Sequence, residues 1–222
     1  MIKFENIVKT YSMGKTELTV LKGINLHIKQ GELVAIMGPS GSGKTTMLNL
    51  IGCLDVPTSG SYRLEDSEVS RLSGGELARI RGQKIGFIFQ TFNLLSRLTA
   101  LANVELGMTY AGGVDRKQAL EALDKVGLSE RIRHRPIELS GGEQQRVAIA
   151  RAIVKNPALF LADEPTGQLD SHSGEEVMSI LTQLHAERGI TVVIVTHDAN
   201  IASHCTRIIH VKDGEIIAEE DA

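Results

Sequence analysis

The segment Gly38–Thr45, with the letters GPSGSGKT, combines the residue types that bind phosphate groups. Its glycines let successive backbone N–H groups turn toward an anion, while Lys44 and Thr45 supply an ammonium group and a hydroxyl. An apolar run ends at Met37 and a helical pattern begins at Lys44, which is the strand-to-helix context that such a loop requires. We therefore predict that the following residues bind nucleotide phosphates, with Lys44 also catalytic and Thr45 also a ligand of Mg²⁺: Gly38, Pro39, Ser40, Gly41, Ser42, Gly43, Lys44, Thr45 and Thr46.

Two other interpretations of this loop fit less well. A dinucleotide-binding loop, G-x-G-x-x-G, would require glycine at position 46, where the sequence has Thr46. An ordinary glycine-rich turn would not explain why the complete pattern stands between a strand and a helix.

The segment Leu159–Glu164 is an apolar run that ends in two adjacent carboxylates. Neighbouring residues of a strand point to opposite faces, so Asp163 and Glu164 should have different roles. We predict that Asp163 helps to hold Mg²⁺ and that Glu164 orients and polarises an attacking water. The structural alternative is an acidic pair that caps the next segment, and the upstream phosphate loop favours the catalytic interpretation.

The segment Leu139–Arg146, LSGGEQQR, places a serine and two glycines at the start of a predicted helix, where backbone N–H groups can bind a second anion. The segment Leu72–Leu77 repeats its first five letters. The later copy opens a long helix that leads directly to the carboxylate strand, whereas only a short basic helix fits after the earlier one. We therefore predict that Ser140 is functional and that Gly74 and Gly75 form a surface loop.

These motifs must be positioned by strands and helices that alternate along the chain. Period-two spacing over residues 2–28 predicts an antiparallel hairpin, and apolar runs predict strands at Ile85–Phe89 and Thr191–Val195. Helical patterns cover residues 44–54, about 94–138 and 143–156, and Asp115 with Gln118 predicts a capping box. Alternating strands and helices predict a mainly parallel sheet.

Composition limits the possible classes of protein. The 222 residues carry a formal net charge of −3 and are 42% hydrophobic, which suits one globular domain with or without an inserted sub-domain. No apolar run is long enough to span a bilayer, and residues 1–6 do not resemble a signal peptide. The near-balanced charge gives no basic footprint, so we expect no nucleic-acid partner.

LSGGEQ, followed by a basic helix and the carboxylate strand, resembles the nucleotide-binding subunit of ABC transporters, and the resemblance covers essentially the whole chain. It implies a single domain, residues 1–222, with an α/β P-loop NTPase core, a mainly parallel sheet and an N-terminal antiparallel β subdomain. Residues 1–90 and 157–222 would form this core. Residues from about 91 to 156 would form an inserted helical subdomain that ends in the signature helix.

The resemblance also assigns roles to single residues. Tyr11 would stack on adenine, and Gln90 would ligate Mg²⁺, act in catalysis and link the site to the helical subdomain. His197 would sense the γ-phosphate, and Asp170 would cross a dimer interface, although Gly167 and Gln168 depart from the family's usual Ser-Ala at that loop. The signature residues that would contact ATP bound to the partner subunit are Ser140, Gly141, Gly142 and Glu143.

The implied activity is hydrolysis of ATP with Mg²⁺ by a head-to-tail homodimer that drives a membrane permease. The chain would then lie in the cytoplasm, peripheral on the inner face of the membrane. The segments Ile51–Gly60 and Gln90–Leu95 resemble the macrolide-export and lipoprotein-releasing branch, which implies export, lipoprotein release or mechanotransmission. Four apolar residues would either line a groove for a permease helix or belong to the core of the helical subdomain: Phe92, Leu94, Leu95 and Leu98.

Other classes of function remain as alternatives. A soluble ABC ATPase that acts on ribosomes usually carries two such domains, and the sequence shows one. An ATPase of DNA repair would need a long heptad insertion between Thr46 and Leu139, and that segment has none. A non-catalytic binding module would not need Glu164, Gln90 and His197 together.

Overall fold

The structure is a computed structural model that describes residues 1–14 and 16–221. Within them the chain forms two β-sheets and a set of helices. The strands are β1 (Ile2–Met13), β2 (Thr16–Ile28), β3 (Leu33–Met37), β4 (Ser59–Leu64), β5 (Ser67–Glu68), β6 (Ile85–Phe89), β7 (Leu159–Asp163), β8 (Thr191–Thr196), β9 (Arg207–Lys212) and β10 (Glu215–Asp221). The helices are α1 (Lys44–Ile51), α2 (Gly74–Lys84), α3 (Ala100–Leu106), α4 (Arg116–Lys125), α5 (Gly141–Ile153), α6 (Ser171–Arg188) and α7 (Ala199–Ala202), with short 3₁₀ helices at Ser129–Arg131 and Pro136–Glu138.

The larger sheet is built mainly from parallel strands. Its order is β10-β9-β3-β8-β7-β6, in which β9 pairs with β10 antiparallel and the other neighbours run parallel. β8 is buried along its whole length, because other elements cover both faces of the sheet. The predicted mainly parallel sheet is confirmed.

The smaller sheet is antiparallel and has the order β2-β1-β4-β5. The predicted hairpin is its β1–β2 pair, in which Tyr11 lies opposite Leu18. Strand β4 was not predicted, because its sequence, SGSYRL, is mostly polar and begins at a glycine-containing turn. The predicted N-terminal antiparallel sheet is therefore confirmed, with additional strands.

The helices differ from the sequence predictions in several details. Helix α1 ends at Ile51, three residues before the predicted end at residue 54, because Gly52 caps it and Cys53 takes a positive φ of 54°. Only one of the two hydrogen bonds of the predicted capping box at Asp115 forms. The Asp115 carboxylate accepts from the N–H of Gln118, but the Gln118 side-chain amide donates to the Val154 carbonyl and not back to Asp115. No helix among the described residues is both long and apolar enough to cross a membrane.

The apolar core occupies both faces of the larger sheet. Alternate residues of each strand point to opposite sides, so Phe160 and Ala162 of β7 pack with α5 and α6 residues, whereas Leu159 and Leu161 pack with α1 and the smaller sheet. Asp163, two residues beyond Leu161, is predicted by the same alternation to face α1 and the loop before it.

Gly214, in the β9–β10 turn, joins three parts of the fold. Its N–H donates to the Ser42 carbonyl over 3.0 Å, and its carbonyl accepts from the N–H of Lys22 over 2.9 Å. A β-carbon at this position, where φ is +83°, would lie 2.3 Å from the Val20 carbonyl oxygen. The phosphate loop, the smaller sheet and the terminal hairpin can therefore meet only around a glycine.

Candidate nucleotide-binding and active site

The loop between β3 and α1 adopts a conformation that requires its glycines. Gly43, the residue before α1, has a φ of 106°, in the left-handed region that other residues avoid. A β-carbon on Gly38 would lie 2.0 Å from the Val211 carbonyl oxygen. The backbone therefore approaches the neighbouring strands β9 and β2 closely, as a loop that wraps around phosphate must.

Two polar side chains of the loop are buried within it. The Lys44 ammonium donates to the carbonyl oxygens of Gly38 over 2.7 Å and Pro39 over 2.9 Å. The hydroxyl of Ser42 is buried and has no hydrogen-bond partner among the described residues. A buried hydroxyl and a buried ammonium can be satisfied together by phosphate oxygens.

The loop opens onto a cavity of about 740 Å³ that also contains the predicted catalytic carboxylates. Its remaining walls come from β2 and from the ends of β7 and β8. The residues that line it are Leu18, Val20, Pro39, Ser40, Gly41, Gly43, Lys44, Thr45, Thr46, Asp163, Glu164, Val195 and His197.

Glu164 lies at a backbone turn and is held in place by β8. Its φ of 46° turns the chain at the end of β7, and its N–H donates to the Val195 carbonyl over 2.9 Å. His197 Nδ1 donates to Glu164 Oε1 over 2.7 Å, and the Thr196 hydroxyl donates to Oε2 over 3.3 Å. The side chain is 18% exposed, so its position is largely fixed while one side stays accessible to the cavity.

Asp163 has the electrostatic environment of a cation ligand. Burial, together with the charge of Glu164, raises the pKa of the Asp163 carboxyl, and the Lys44 ammonium only partly opposes this. A divalent cation in the same cavity would stabilise the charged form. The described residues contain no cluster of three or more His, Cys, Asp or Glu that could hold a metal without help. Asp163 and the Thr45 hydroxyl therefore fit Mg²⁺, which commonly combines one or two protein ligands with substrate phosphates.

The signature residues lie on a different surface of the same chain. Ser140 caps α5 by accepting from the N–H of Glu143 over 3.2 Å, and Glu143 returns the contact by accepting from the N–H of Ser140 over 2.8 Å. The hydrogen bond from the Ser140 backbone N–H, followed by the contact with Arg131, lowers the pKa of the Glu143 carboxyl. None of Ser140, Gly141, Gly142 and Glu143 lines the cavity around the phosphate loop.

Asp170 lies next to the signature. It caps α6, accepting from the Ser173 N–H over 3.0 Å and the Ser173 hydroxyl over 2.8 Å, and these bonds lower its pKa. A β-carbon on Gly142 would lie 2.9 Å from the Ser173 hydroxyl oxygen. The starts of α5 and α6 thus form one exposed polar surface.

The earlier LSGGE copy has the same local structure as the signature, and the prediction of a loop there is wrong. Gly74 and Gly75 form the first turn of α2, which Ser73 and Glu76 close with a reciprocal capping box. Local sequence dictated this capping in both copies. The copies differ in their surroundings: a β-carbon on Gly142 would contact Ser173 at the start of α6, whereas nothing lies within 4 Å of such an atom on Gly74 or Gly75.

Tyr11 and Gln90 stand outside the residues that line the cavity. Tyr11 pairs with Leu18 across the β1–β2 hairpin, and Leu18 does line the cavity, so Tyr11 lies next to it. Gln90 is exposed at the end of β6, and its amide nitrogen lies 2.8 Å from where a β-carbon of Gly167 would be. Gln90 is therefore adjacent to the loop that follows Glu164.

Sequence reasoning missed two side chains that connect the signature helix to this region. Arg151 of α5 donates to the carbonyls of Phe92 over 2.8 Å and Asn93 over 2.5 Å, both of which have positive φ. Gln145, fully buried, donates to the Pro165 carbonyl over 2.5 Å. The helical periodicity of α5 marks both positions, but nothing in it identifies partners so distant in sequence.

Replacing Asp163 with asparagine should stabilise the fold at neutral pH. Because its pKa is raised, the folded protein holds a proton there more tightly than the unfolded chain, and the charged carboxylate destabilises the fold above that pKa. The advantage of Asp163→Asn in urea unfolding should shrink as pH falls toward the ordinary aspartate value of 3.8. The exposed Asp66→Asn is the control, and a less stable Asp163→Asn protein at neutral pH would contradict this explanation.

Comparison with known proteins agrees with this geometry. A family model described as ABC transporter matches residues 21–167. The chain is 54% identical to the uncharacterized ABC transporter ATP-binding protein MJ0796 of Methanocaldococcus jannaschii, with 99% of this chain and 97% of that protein covered. It is also 53% identical to the macrolide export ATP-binding/permease protein MacB of Bartonella quintana. That match covers 100% of this chain and 34% of that protein.

A solved structure gives the same fold. It is described as a dimeric post-hydrolysis state of the ATP-binding cassette MJ0796 bound to ADP and Pi. It matches with a TM-score of 0.92 and 52% identity, over 100% of this chain and 98% of that one. The chain therefore belongs to the ATP-binding subunits of the ABC transporter family and is an ATPase.

Proposed function

We propose that this subunit hydrolyses ATP with Mg²⁺ in a head-to-tail dimer and drives a membrane permease from the cytoplasmic face. The observation that carries the proposal is the position of Glu164. Its carboxylate is held by His197 and Thr196 in the same cavity as Lys44 and Asp163. A carboxylate placed beside a phosphate site in this way can orient a water molecule for attack.

The proposed reaction is an in-line displacement at the γ-phosphorus of ATP. The water oxygen forms a bond to phosphorus while the bond to the bridging oxygen breaks, which yields ADP and phosphate. Glu164 positions the water and takes its proton, and His197 fixes the carboxylate and lies near the γ-phosphate. Lys44 and the loop N–H groups stabilise the negative charge that spreads over the transferred group. Mg²⁺, held by Thr45, Asp163 and Gln90, would supply further neutralisation of phosphate charge.

The separation of two anion-binding surfaces supports the head-to-tail dimer. The signature residues do not line the cavity at the phosphate loop of the same chain, so we propose that the signature reaches a γ-phosphate on another copy. The dimeric solved structure of MJ0796 is consistent with such an assembly. In this arrangement Ser140, Gly141, Gly142 and Glu143 contact the partner's ATP, and Asp170 crosses the interface beside them.

A groove of about 900 Å³ on another face supports the permease as partner. Its lining includes the apolar side chains of Leu54, Phe87, Phe89 and Tyr110, together with the basic residues Arg79, Arg81, Arg151 and Lys155. Burial lowers the pKa of Lys155 to about 8. Such a surface suits an amphipathic helix. The predicted groove residues Phe92, Leu94, Leu95 and Leu98 do not line it, and Leu94 packs against the core.

Export is the direction of transport that we propose, within the macrolide-export and lipoprotein-releasing branch. The support is the identity to MacB, a protein named for macrolide export and carrying its own permease portion. We also propose that residues from about 91 to 156 form the helical subdomain and that Gln145 connects it to the core through the Pro165 carbonyl. A soluble, non-transport ABC ATPase is the remaining alternative.

Replacing Glu164 with glutamine should preserve ATP binding and abolish turnover. The amide keeps the shape of the side chain but cannot take the proton, so phosphate release should fall by at least about 100-fold. Size-exclusion chromatography with ATP and Mg²⁺ should show the variant accumulating as a dimer. The exposed Glu121→Gln is the control, and hydrolysis at the native rate by Glu164→Gln would refute the role.

The two LSGGE copies provide a matched pair of variants. Ser140→Arg should abolish hydrolysis, because the arginine would occupy the surface that receives the partner's γ-phosphate. Ser73→Arg removes the same capping box from α2 and should leave hydrolysis intact. The rate of ATP hydrolysis by each variant is measured as phosphate release. Loss of activity in Ser73→Arg alone would overturn the assignment of the signature.

The permease is tested by purifying the tagged native complex in detergent and identifying its components by mass spectrometry. An integral membrane subunit should copurify with the native chain and with Ile217→Arg, an exposed position on β10. It should be lost with Tyr110→Arg, which fills the groove, while ATP hydrolysis by the isolated subunit persists. Recovery of ribosomes in place of a membrane subunit would favour the soluble alternative.

A further inference from the structure

We infer that Asp55 and Lys9 are positioning residues that hold the Tyr11 ring in place for stacking on an adenine base. The inference rests on the proposed role of Tyr11. It also gives a physical role to Asp55, which lies in the segment Ile51–Gly60.

Asp55 connects the three side chains. Its Oδ1 accepts from the Lys9 ammonium over 2.7 Å, and its Oδ2 accepts from the Tyr11 hydroxyl over 2.9 Å. Each carboxylate oxygen therefore holds one partner. Burial alone would raise the pKa of Asp55, but the hydrogen bonds from Lys9, the Val56 N–H and Tyr11 outweigh it and lower the pKa. The carboxylate stays charged and keeps both contacts.

Lys9 determines which face of the Tyr11 ring is available. Its Nζ lies over the ring, 4.8 Å from the centroid, and also donates to the Val56 carbonyl over 2.8 Å. The Lys9 side chain is only 10% exposed, so solvent screens it little. With the ammonium on one face, an aromatic base can stack only on the other.

The backbone around Asp55 ties this cluster to the phosphate-binding helix. The N–H groups of Leu54 and Asp55 donate to the Asn49 carbonyl in α1. Farther along, the Thr58 N–H donates to the Val8 carbonyl over 2.8 Å, and the Thr58 hydroxyl accepts from the Thr10 N–H over 2.9 Å. One segment thus joins α1, which holds the phosphates, to β1, which carries Tyr11.

This arrangement fixes the distance between the base and the phosphates of one nucleotide. Tyr11 is half-buried, so the hairpin alone does not determine its side-chain position. The hydroxyl bond to Asp55 and the ammonium over the ring restrict it. Asp55 and Lys9 should therefore contribute to binding of the base and leave binding of the phosphates unchanged.

The test compares ADP with inorganic pyrophosphate, which share a diphosphate and differ in the nucleoside. Isothermal titration calorimetry with Mg²⁺ should show that Asp55→Asn and Lys9→Met raise the Kd for ADP by about tenfold, the order expected for weakening one base stack. The Kd for pyrophosphate should stay within about twofold, since no phosphate ligand changes. At saturating ATP the kcat should persist while the KM rises.

Tyr11→Ala separates this inference from the proposed function. It should weaken ADP but not pyrophosphate, and adding Asp55→Asn to it should have little further effect, since Asp55 acts through the ring. If Tyr11→Ala does not weaken ADP selectively, the stacking role of Tyr11 fails. If it does, but Asp55→Asn and Lys9→Met leave ADP binding unchanged, weaken both ligands equally or add fully to Tyr11→Ala, the inference is overturned.

The fold is checked separately. Thermal unfolding of each variant shows whether the protein is native at the temperature of the titration. Asp66→Asn, an exposed carboxylate in the turn between β4 and β5, is the matched control and should bind both ligands like the unchanged protein. Lys9→Met retains an unbranched apolar stem, so it provides a second measurement if Asp55→Asn does not fold.

Discussion

The parallel pairing of β3, β8 and β7 is the constraint on which the site depends. Met37 pairs with Thr196, and Asp163 pairs with Val195, so all three strands end at one edge of the sheet. The phosphate loop, Glu164 and His197 each follow one of these ends, and Asp163 is the last residue of β7. A shift of one residue in this register would turn Asp163 away from α1 and separate Glu164 from His197.

The charged side chains at this edge of the sheet do not balance one another, and this imbalance suits the binding of ATP and Mg²⁺. Asp163 and Glu164 are neighbours, and burial makes the charged form of Asp163 costly, while Lys44 is occupied by carbonyls of its own loop. A bound cation would stabilise the charged carboxylates, and a polyphosphate bound with it would give the Lys44 ammonium a negatively charged partner. The site is thus arranged for a ligand of mixed charge.

The sequence predicted the parts of this structure that local rules determine. The strands β3, β6 and β7 and the phosphate loop follow from apolar runs and motif spacing. The helical start at Gly74 could also have been predicted, since Ser73 and Glu76 form the same capping box as the signature. The contacts of Asp55 with Tyr11 and of Arg151 with Phe92 could not, because they join residues far apart in sequence and depend on packing.

The central claim is that one complete site needs the phosphate loop of one copy and the signature of another. Mixing Glu164→Gln with Ser140→Arg, each inactive alone, tests it most directly, because a mixed head-to-tail dimer contains one site with no substitution. Phosphate release should reappear on mixing and be greatest near equal amounts. Activity that never exceeds the sum of the separate proteins, at any ratio, would contradict the account.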